Sequence, residues 1–256
     1  MENKVDIFAV TYKDFEETVT NPIYKIINVG DEEIHTSLNV LSDKVGDNIN
    51  SLNPFFSELT GTYWVWKNWD LKDYVGICQY RRYFQFLDNI PNLDDVFKEY
   101  DIILPKPYLY KQNMATDYSL CHNVTDLMSI VNIIHNYFPQ YKDAALQFCQ
   151  CNRFYPCNMF IMKREDFKEY CELIFGVMSI YLKEKNLVTI DDIKKYVADN
   201  WKYYEKSFSP NNELWYQLRI GGFLAERLLN IFVIHKFSKI KEEEWIMTHK
   251  KYNKFS

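Results

Sequence analysis

The sequence predicts an α/β domain with a largely parallel central sheet flanked by helices. Short apolar, β-rich runs alternate with longer stretches of helical period along the whole chain. The runs close on polar or turn residues, as they must where an α/β crevice binds a nucleotide at strand C-termini. With only 7 Gly and 8 Pro in 256 residues there is no linker, low-complexity tract or fixed-period repeat, so the chain reads as a single domain from 1 to 256, with 236–256 as a peripheral tail.

Taken in order, KVDIFAVTY (4–12) and YKIINVG (24–30) are the first two strands. FFSELTGTYWVWKNW (55–69) reads as one helix, with Leu59, Tyr63 and Trp66 at helical spacing. YVGICQY (74–80) and YDIILP (100–105) are the next strands, the second stopped by proline. Residues 119–149 are mostly helical, and PCNMFIM (156–162) is a further strand. The amphipathic run 164–184 is a long helix, and GGFLAERLLNIFVIHKF (221–237) is the last strong one.

Composition narrows the function. A net charge of -5 leaves no broad basic face, which argues against nucleic acid. The 20 Tyr, 18 Phe and 6 Trp suit sugar stacking and core packing equally. MENKVDIFAV places acidic residues where an export signal needs basic and apolar ones, so a cytoplasmic location is expected. The longest apolar segment, LLNIFVI (228–234), falls far short of a membrane span. Cys149, Cys151 and Cys157 lack a fourth ligand at finger spacing and read, like the other cysteines, as reduced thiols.

GDNIN (46–50), ELTGTYWVWKN (58–68), GICQYRRYF (76–84), YDIILPK (100–106), PCNMFIM and GFLAERLLNIF (222–232) occur in the order found in a bacterial family first catalogued as a domain of unknown function in capsule and exopolysaccharide gene clusters. The chain resembles that family over almost its whole length. Its members are regarded as glycosyltransferases, with a galactofuranosyltransferase as the characterised type, and the resemblance implies a GT-A-like nucleotide-binding fold. Two departures stand out. Gln79 and Tyr12 occupy positions where the family pattern has His, and neither can carry an imidazole's proton near neutral pH.

The resemblance also implies site residues. GT-A enzymes mostly hold Mg²⁺ or Mn²⁺ on an Asp-x-Asp at a strand end, and QYRR stands there in this chain. Arg81 and Arg82 are therefore expected to bind the donor diphosphate without a required cation, although a distant carboxylate such as Asp47 could still reach a divalent ion. Strand alternation would send only one of the two arginines to the phosphate; the structural alternative pairs them with Asp70, Asp73 or Asp88. Thr11, Tyr12 and Lys13 end the first strand, where base and ribose bind. Asp47 and Asn48 either read hydroxyls or build a turn on their own side chains. Glu58, Lys67 and Asn68 bracket the 58–68 helix as sugar or acceptor contacts, together with Gln79 and with Asn158, an amide interrupting an apolar strand. His122 and Asp126 share a helix face, orienting an acceptor-side histidine or forming an ordinary pair.

Glu226 is the expected catalytic base, on a late helix opened by two glycines that admit close approach of a ligand; a pairing with Arg227 or Arg219 is the alternative. Arg219 is a second candidate phosphate ligand. The expected activity is inverting transfer of a hexose, galactofuranose by the resemblance, from a UDP-sugar to a glycan or polyprenyl-linked acceptor in surface polysaccharide assembly. A non-catalytic sugar-nucleotide or glycan-binding module is the alternative, raised by the two missing histidines. The tail 235–256 mixes lysines with Trp245, Ile246, Met247, Tyr252 and Phe255, which suits either peripheral contact with an anionic leaflet or a solvated helix end.

Overall fold

The computed structural model describes residues 4–15, 17–36, 38–205 and 213–248. Its strands are β1 (Val5–Thr11), β2 (Tyr24–Asn28), β3 (Val40–Ser42), β4 (Tyr74–Gln79), β5 (Arg82–Phe84), β6 (Ile102–Pro105), β7 (Tyr108–Leu109), β8 (Arg153–Phe154), β9 (Phe160–Lys163), β10 (Ile240–Glu243) and β11 (Trp245–Met247). The helices are α1 (Asn53–Phe56), α2 (Leu59–Asn68), α3 (Leu93–Glu99), α4 (Met114–Cys121), α5 (Val124–Tyr137), α6 (Lys142–Gln150), α7 (Arg164–Glu184), α8 (Ile190–Asp199), α9 (Trp201–Tyr204), α10 (Leu214–Gln217) and α11 (Ile220–Lys236).

The main sheet runs β10-β6-β9-β4-β1-β2-β3, with β5 and β11 attached beside β4. Strands β4, β1, β2 and β3 pair in parallel, as do β6 and β10, while β9 runs antiparallel between β4 and β6. The expected parallel sheet is present, with β9, the FIM end of PCNMFIM plus Lys163, as its one reversed central member. That reversal brings the segment before β9 to the C-terminal ends of β1 and β4, where an α/β sheet binds its ligand.

Every residue of β1 is buried, because both sheet faces are covered. Phe8 and Val10 join the larger core under α1, α2, α5, α7 and α11; Ile7 and Ala9 join the smaller one with Leu93 and Phe97 of α3. Gly61 lets α2 settle on the sheet, since a Cβ there would stand 3.1 Å from Val29 Cγ1.

Four local expectations change. The helix expected over 55–69 breaks at Ser57, which adopts φ 53°, ψ −128° and separates α1 from α2. His122 ends α4 and Asn123 caps α5, its side chain accepting from Thr125 N–H at 3.1 Å; His122 and Asp126 therefore lie on different helices. Gly221 serves helix packing, since a Cβ there would meet Phe55 Cε1 at 2.5 Å and the Phe55 carbonyl oxygen at 3.0 Å, whereas Gly222, where a Cβ would meet Ser57 Oγ at 3.3 Å, lines the cavity described below. The tail beyond 236 is, through Met247, built into the sheet: β10 pairs with β6 and β11 with β5. Thr248 N–H donates to the Arg81 carbonyl at 2.9 Å. Tyr252 and Phe255, which complete the tail's apolar character, lie outside the described residues.

Gly221→Ala should lower stability by about 1–3 kcal/mol, since the added methyl meets α1 backbone as well as an aromatic ring. Denaturant unfolding of the variant checks this, and an unchanged midpoint would show that α1 yields freely.

Candidate active site

A cavity of about 800 Å³ opens at the C-terminal ends of β1 and β4. Thr11 and Tyr12 after β1, Gln79 at the end of β4, Arg81 and Arg82 beyond it, Glu58 before α2, and Arg219 and Glu226 of the α11 region all line it, with His122 at the end of α4. Nine of the fifteen expected site residues are thus gathered from segments far apart in sequence.

Tyr80 and Arg81 form a two-residue turn between β4 and β5, closed by the Gln79–Arg82 pairing. The strand has ended before the arginines, so alternation does not separate them and both face the cavity. Arg82 Nη1 donates to Gln79 Oε1, and the Arg81 guanidinium lies 5.6 Å from the Tyr80 ring centroid. Neither arginine forms an ion pair among the described residues, and the alternative partner Asp88 is taken up by Thr20 and Asn21. The Nε atoms of both are buried with no hydrogen-bond partner among the described residues. A buried guanidinium N–H without a partner is costly, and an anion in the cavity would relieve two of them at once.

Two carboxylates stand opposite. Glu226 Oε1 accepts from Cys157 N–H at 2.9 Å and Oε2 accepts from Arg227 Nη1 at 3.0 Å. Burial raises the Glu226 pKa above the ordinary glutamate value; Arg227 opposes the rise and the nearby Glu58 adds to it. Arg227 is itself fixed by the Phe223 carbonyl at 3.0 Å and by the Tyr118 and Phe154 rings at 4.8 and 4.7 Å. Glu58 Oε1 accepts from Asn158 Nδ2 at 3.0 Å, and its Oε2 lies 3.7 Å from Arg219 Nη2. Arg219 Nε donates to Ser57 Oγ at 2.8 Å, so the break between α1 and α2 anchors this arginine. Both carboxylates are therefore matched by arginines, which leaves Arg81 and Arg82 as the unmatched charge.

His122 stacks on Phe223, ring centroids 3.9 Å apart, and its Nδ1 lies 3.3 Å from Gln217 Oε1. Tyr12 is about half exposed and meets Tyr80 edge-on at 5.7 Å. Thr11 Oγ1 donates to the Lys13 carbonyl at 2.6 Å, which bends the chain away after β1.

Residues 6–199 match the family described as Domain of unknown function (DUF4422). The chain belongs to that family. A solved structure of WbbM, a bifunctional glycosyltransferase in its apo form, matches this DUF4422 chain with a TM-score of 0.74 at 25% identity. The match covers 97% of this chain and 46% of that one, so the chain spans just under half the length of WbbM. No curated protein matches the sequence.

Six expected residues of the DUF4422 chain do not line the cavity. Asp47, Asn48 and Asn68 tie a loop to α2: Asn68 Oδ1 accepts from Asp47 N–H at 3.0 Å, Asn68 Nδ2 donates to the Asp47 carbonyl at 2.8 Å, and Asn48 Nδ2 bonds the Gly46 carbonyl at 2.9 Å. Lys67 lies over the Trp66 ring at 3.4 Å, and Lys13 lies 5.4 Å from the Tyr12 ring. The remaining residue, Asn158, is 1% exposed and sits in a turn before β9 rather than in a strand. Asp126 accepts from three tyrosine hydroxyls.

The structure adds wall residues that the sequence reading passed over, among them Tyr108, Tyr110, Trp215 and Trp245. Tyr108 and Trp215 are half-exposed at the mouth. The four aromatics of YLY (108–110) and WY (215–216) were the available signal, lost in a composition where aromatics are common.

The carboxylates that line the cavity are engaged by other side chains. A bound Mg²⁺ or Mn²⁺ wants one or two carboxylates free to coordinate beside the phosphates. Here Glu58 and Glu226 each face an arginine, and Asp117 Oδ1 accepts from Gln112 Nε2 at 2.8 Å. Among the described residues no three His, Cys, Asp or Glu side chains come together. No described helix is long and apolar enough to cross a membrane.

Proposed function

We propose that the chain is a glycosyltransferase that moves a hexose from a UDP-sugar to a glycan or polyprenyl-linked acceptor in surface polysaccharide assembly, with inversion and without a required metal ion. The observation that carries this is the placement of two arginines with unsatisfied buried Nε groups in the same cavity as a raised-pKa carboxylate. Likeness to WbbM over nearly the whole chain supports the class of reaction. The family resemblance supports galactofuranose as the sugar.

In this reading Arg81 and Arg82 take the donor diphosphate, and Tyr12 and Thr11 take the nucleoside at the end of β1. Glu226 accepts the proton of the acceptor hydroxyl as its oxygen bonds to the anomeric carbon. The bond from that carbon to the UDP oxygen breaks, and the electron pair leaves on the diphosphate. Arginines oriented before the reaction stabilise that charge as a cation would. Tyr108 and Trp215 offer open aromatic faces to an acceptor sugar at the mouth.

Arg81→Ala or Arg82→Ala should weaken UDP binding by roughly 1.5–3 kcal/mol, the worth of a charge-assisted phosphate contact, with little change in melting temperature. Calorimetric titration with UDP reads the first and thermal unfolding the second. Unchanged affinity in both variants would remove the basis of the proposal. Transfer should also survive exhaustive chelation and gain nothing essential from added Mg²⁺ or Mn²⁺; a strict requirement for either ion would show that the arginines do not stand in for it.

A further inference from the structure

Between β8 and β9, Cys157 and Asn158 adopt left-handed conformations at φ 72° and φ 50°. Two consecutive residues with side chains in that region are costly, although Asn tolerates it better than most. The groups of this turn are directed outward, onto cavity residues. Cys157 N–H donates to Glu226 Oε1 at 2.9 Å. The Cys157 carbonyl accepts from Gln79 Nε2 at 3.1 Å, and Gln79 Oε1 accepts in turn from Arg82. Asn158 Nδ2 donates to Glu58 Oε1 at 3.0 Å, and Glu58 faces Arg219. The Asn158 side-chain oxygen is buried with no partner among the described residues, so the amide is oriented by its donor end alone.

We propose that the Cys157–Asn158 turn is the positioning element of the site, setting the orientation of Glu226 and Glu58 and, through Gln79, that of Arg82. The proposal rests on the glycosyltransferase reading for its catalytic meaning. Two carboxylates that repel one another are each held by a donor from adjacent residues, one from a backbone N–H and one from a side-chain amide. Arg227 and Arg219 of the α11 region oppose them from the other side, and Arg82 is reached from β5. The left-handed backbone is what aims the N–H and the amide in two directions at once. A turn that merely linked two strands would have no need to place them so.

Asn158→Asp is the informative substitution. It keeps the size and the tolerance for left-handed φ, and replaces the donor to Glu58 with an oxygen that repels it. Asn158→Gly keeps the backbone freedom and removes the amide. The glutamate carboxyls are followed by carbon NMR in ¹³C-glutamate-labelled protein, with Glu58 and Glu226 assigned from their Gln variants. In Asn158→Asp the Glu226 midpoint should rise by about one pH unit, and in Asn158→Gly the Glu58 carboxyl resonance should move from its wild-type position. Transfer from the UDP-sugar should fall at least tenfold in kcat in both variants, about what misplacement of a catalytic group costs, while UDP affinity stays within about threefold. A wild-type Glu226 midpoint in Asn158→Asp would overturn the proposal whether or not transfer is observed. If Asn158→Asp does not fold, an unchanged Glu58 carboxyl resonance in Asn158→Gly overturns it equally. A wild-type protein with no turnover on any UDP-sugar, but with variants whose Glu226 midpoint and Glu58 resonance move as stated, would remove the transferase reading and leave the positioning role standing.

Discussion

Glu226→Gln should reduce transfer by roughly a thousandfold while UDP still binds, because general-base catalysis contributes about 10²–10⁴ and an amide cannot accept the acceptor's proton. Gln keeps the shape of the side chain and an oxygen for the Cys157 N–H, so the cavity wall is preserved. In the wild type the acid limb of the rate profile should lie above the ordinary glutamate range, since burial raises this carboxyl's pKa. Stability carries the same signature. A group whose folded pKa is raised contributes stability that is fully present below its unfolded value and is lost as pH rises through the folded one. Melting temperature should therefore decline across that window in the wild type and vary less with pH in Glu226→Gln. Initial rates with a UDP-sugar, calorimetry with UDP and melting curves at several pH values measure all three. Undiminished turnover in the variant would show that the base is another group.

Asp126→Ala should cost about 3–5 kcal/mol of stability, the range for breaking a buried charged network. Asp126 is fully buried in the first turn of α5, and its carboxylate accepts from Tyr181 at 2.7 Å, Tyr204 at 2.5 Å and Tyr196 at 3.2 Å. Those phenols come from α7, α9 and α8, so one side chain ties four helices. Truncation leaves hydroxyls buried without an acceptor, at about 1–3 kcal/mol for each that finds no other partner. Burial raises the Asp126 pKa and the three hydroxyls oppose the rise. By the same sign argument this carboxyl's contribution falls as pH increases from its unfolded value through its folded one. Guanidinium unfolding of Asp126→Ala and Asp126→Asn gives the comparison, and a loss below about 1 kcal/mol in the alanine variant would mean that the phenols find other partners.

The sheet and its ligand-binding end could be read from the chain because they depend on local pattern. VDIFAVT and YVGICQ are apolar throughout, as strands covered on both faces must be, and REDFKEYCELIFGVMSIYLKE gave α7 with both bounds correct. What escaped depended on contacts distant in sequence. The break at Ser57 is accompanied by packing of Gly221 on Phe55 and by the Ser57–Arg219 bond, neither visible from 55–69 alone. Asn158 looked like a polar intrusion in a strand because FIM follows it, whereas its left-handed backbone belongs to a turn. The arginines were legible as a charged pair, but their shared orientation required knowing that β4 ends at Gln79. Asp47, Asn48 and Asn68 carry the residue types of a sugar site and spend them on one another, a distinction that composition cannot make.

The strand β11 runs beside the arginine turn, and Thr248 holds the Arg81 backbone. During synthesis the Tyr80–Arg81 turn therefore emerges long before the segment that fixes its edge. Pairings of such high sequence separation form late and at greater entropic cost than local ones. Until residues 240–248 have left the ribosome, β5 and β6 present bare edges, and bare edges invite association with other chains. A cut after Lys236, which a tail would tolerate, instead exposes both edges, so chains ended there should collect in inclusion bodies before any question of catalysis arises.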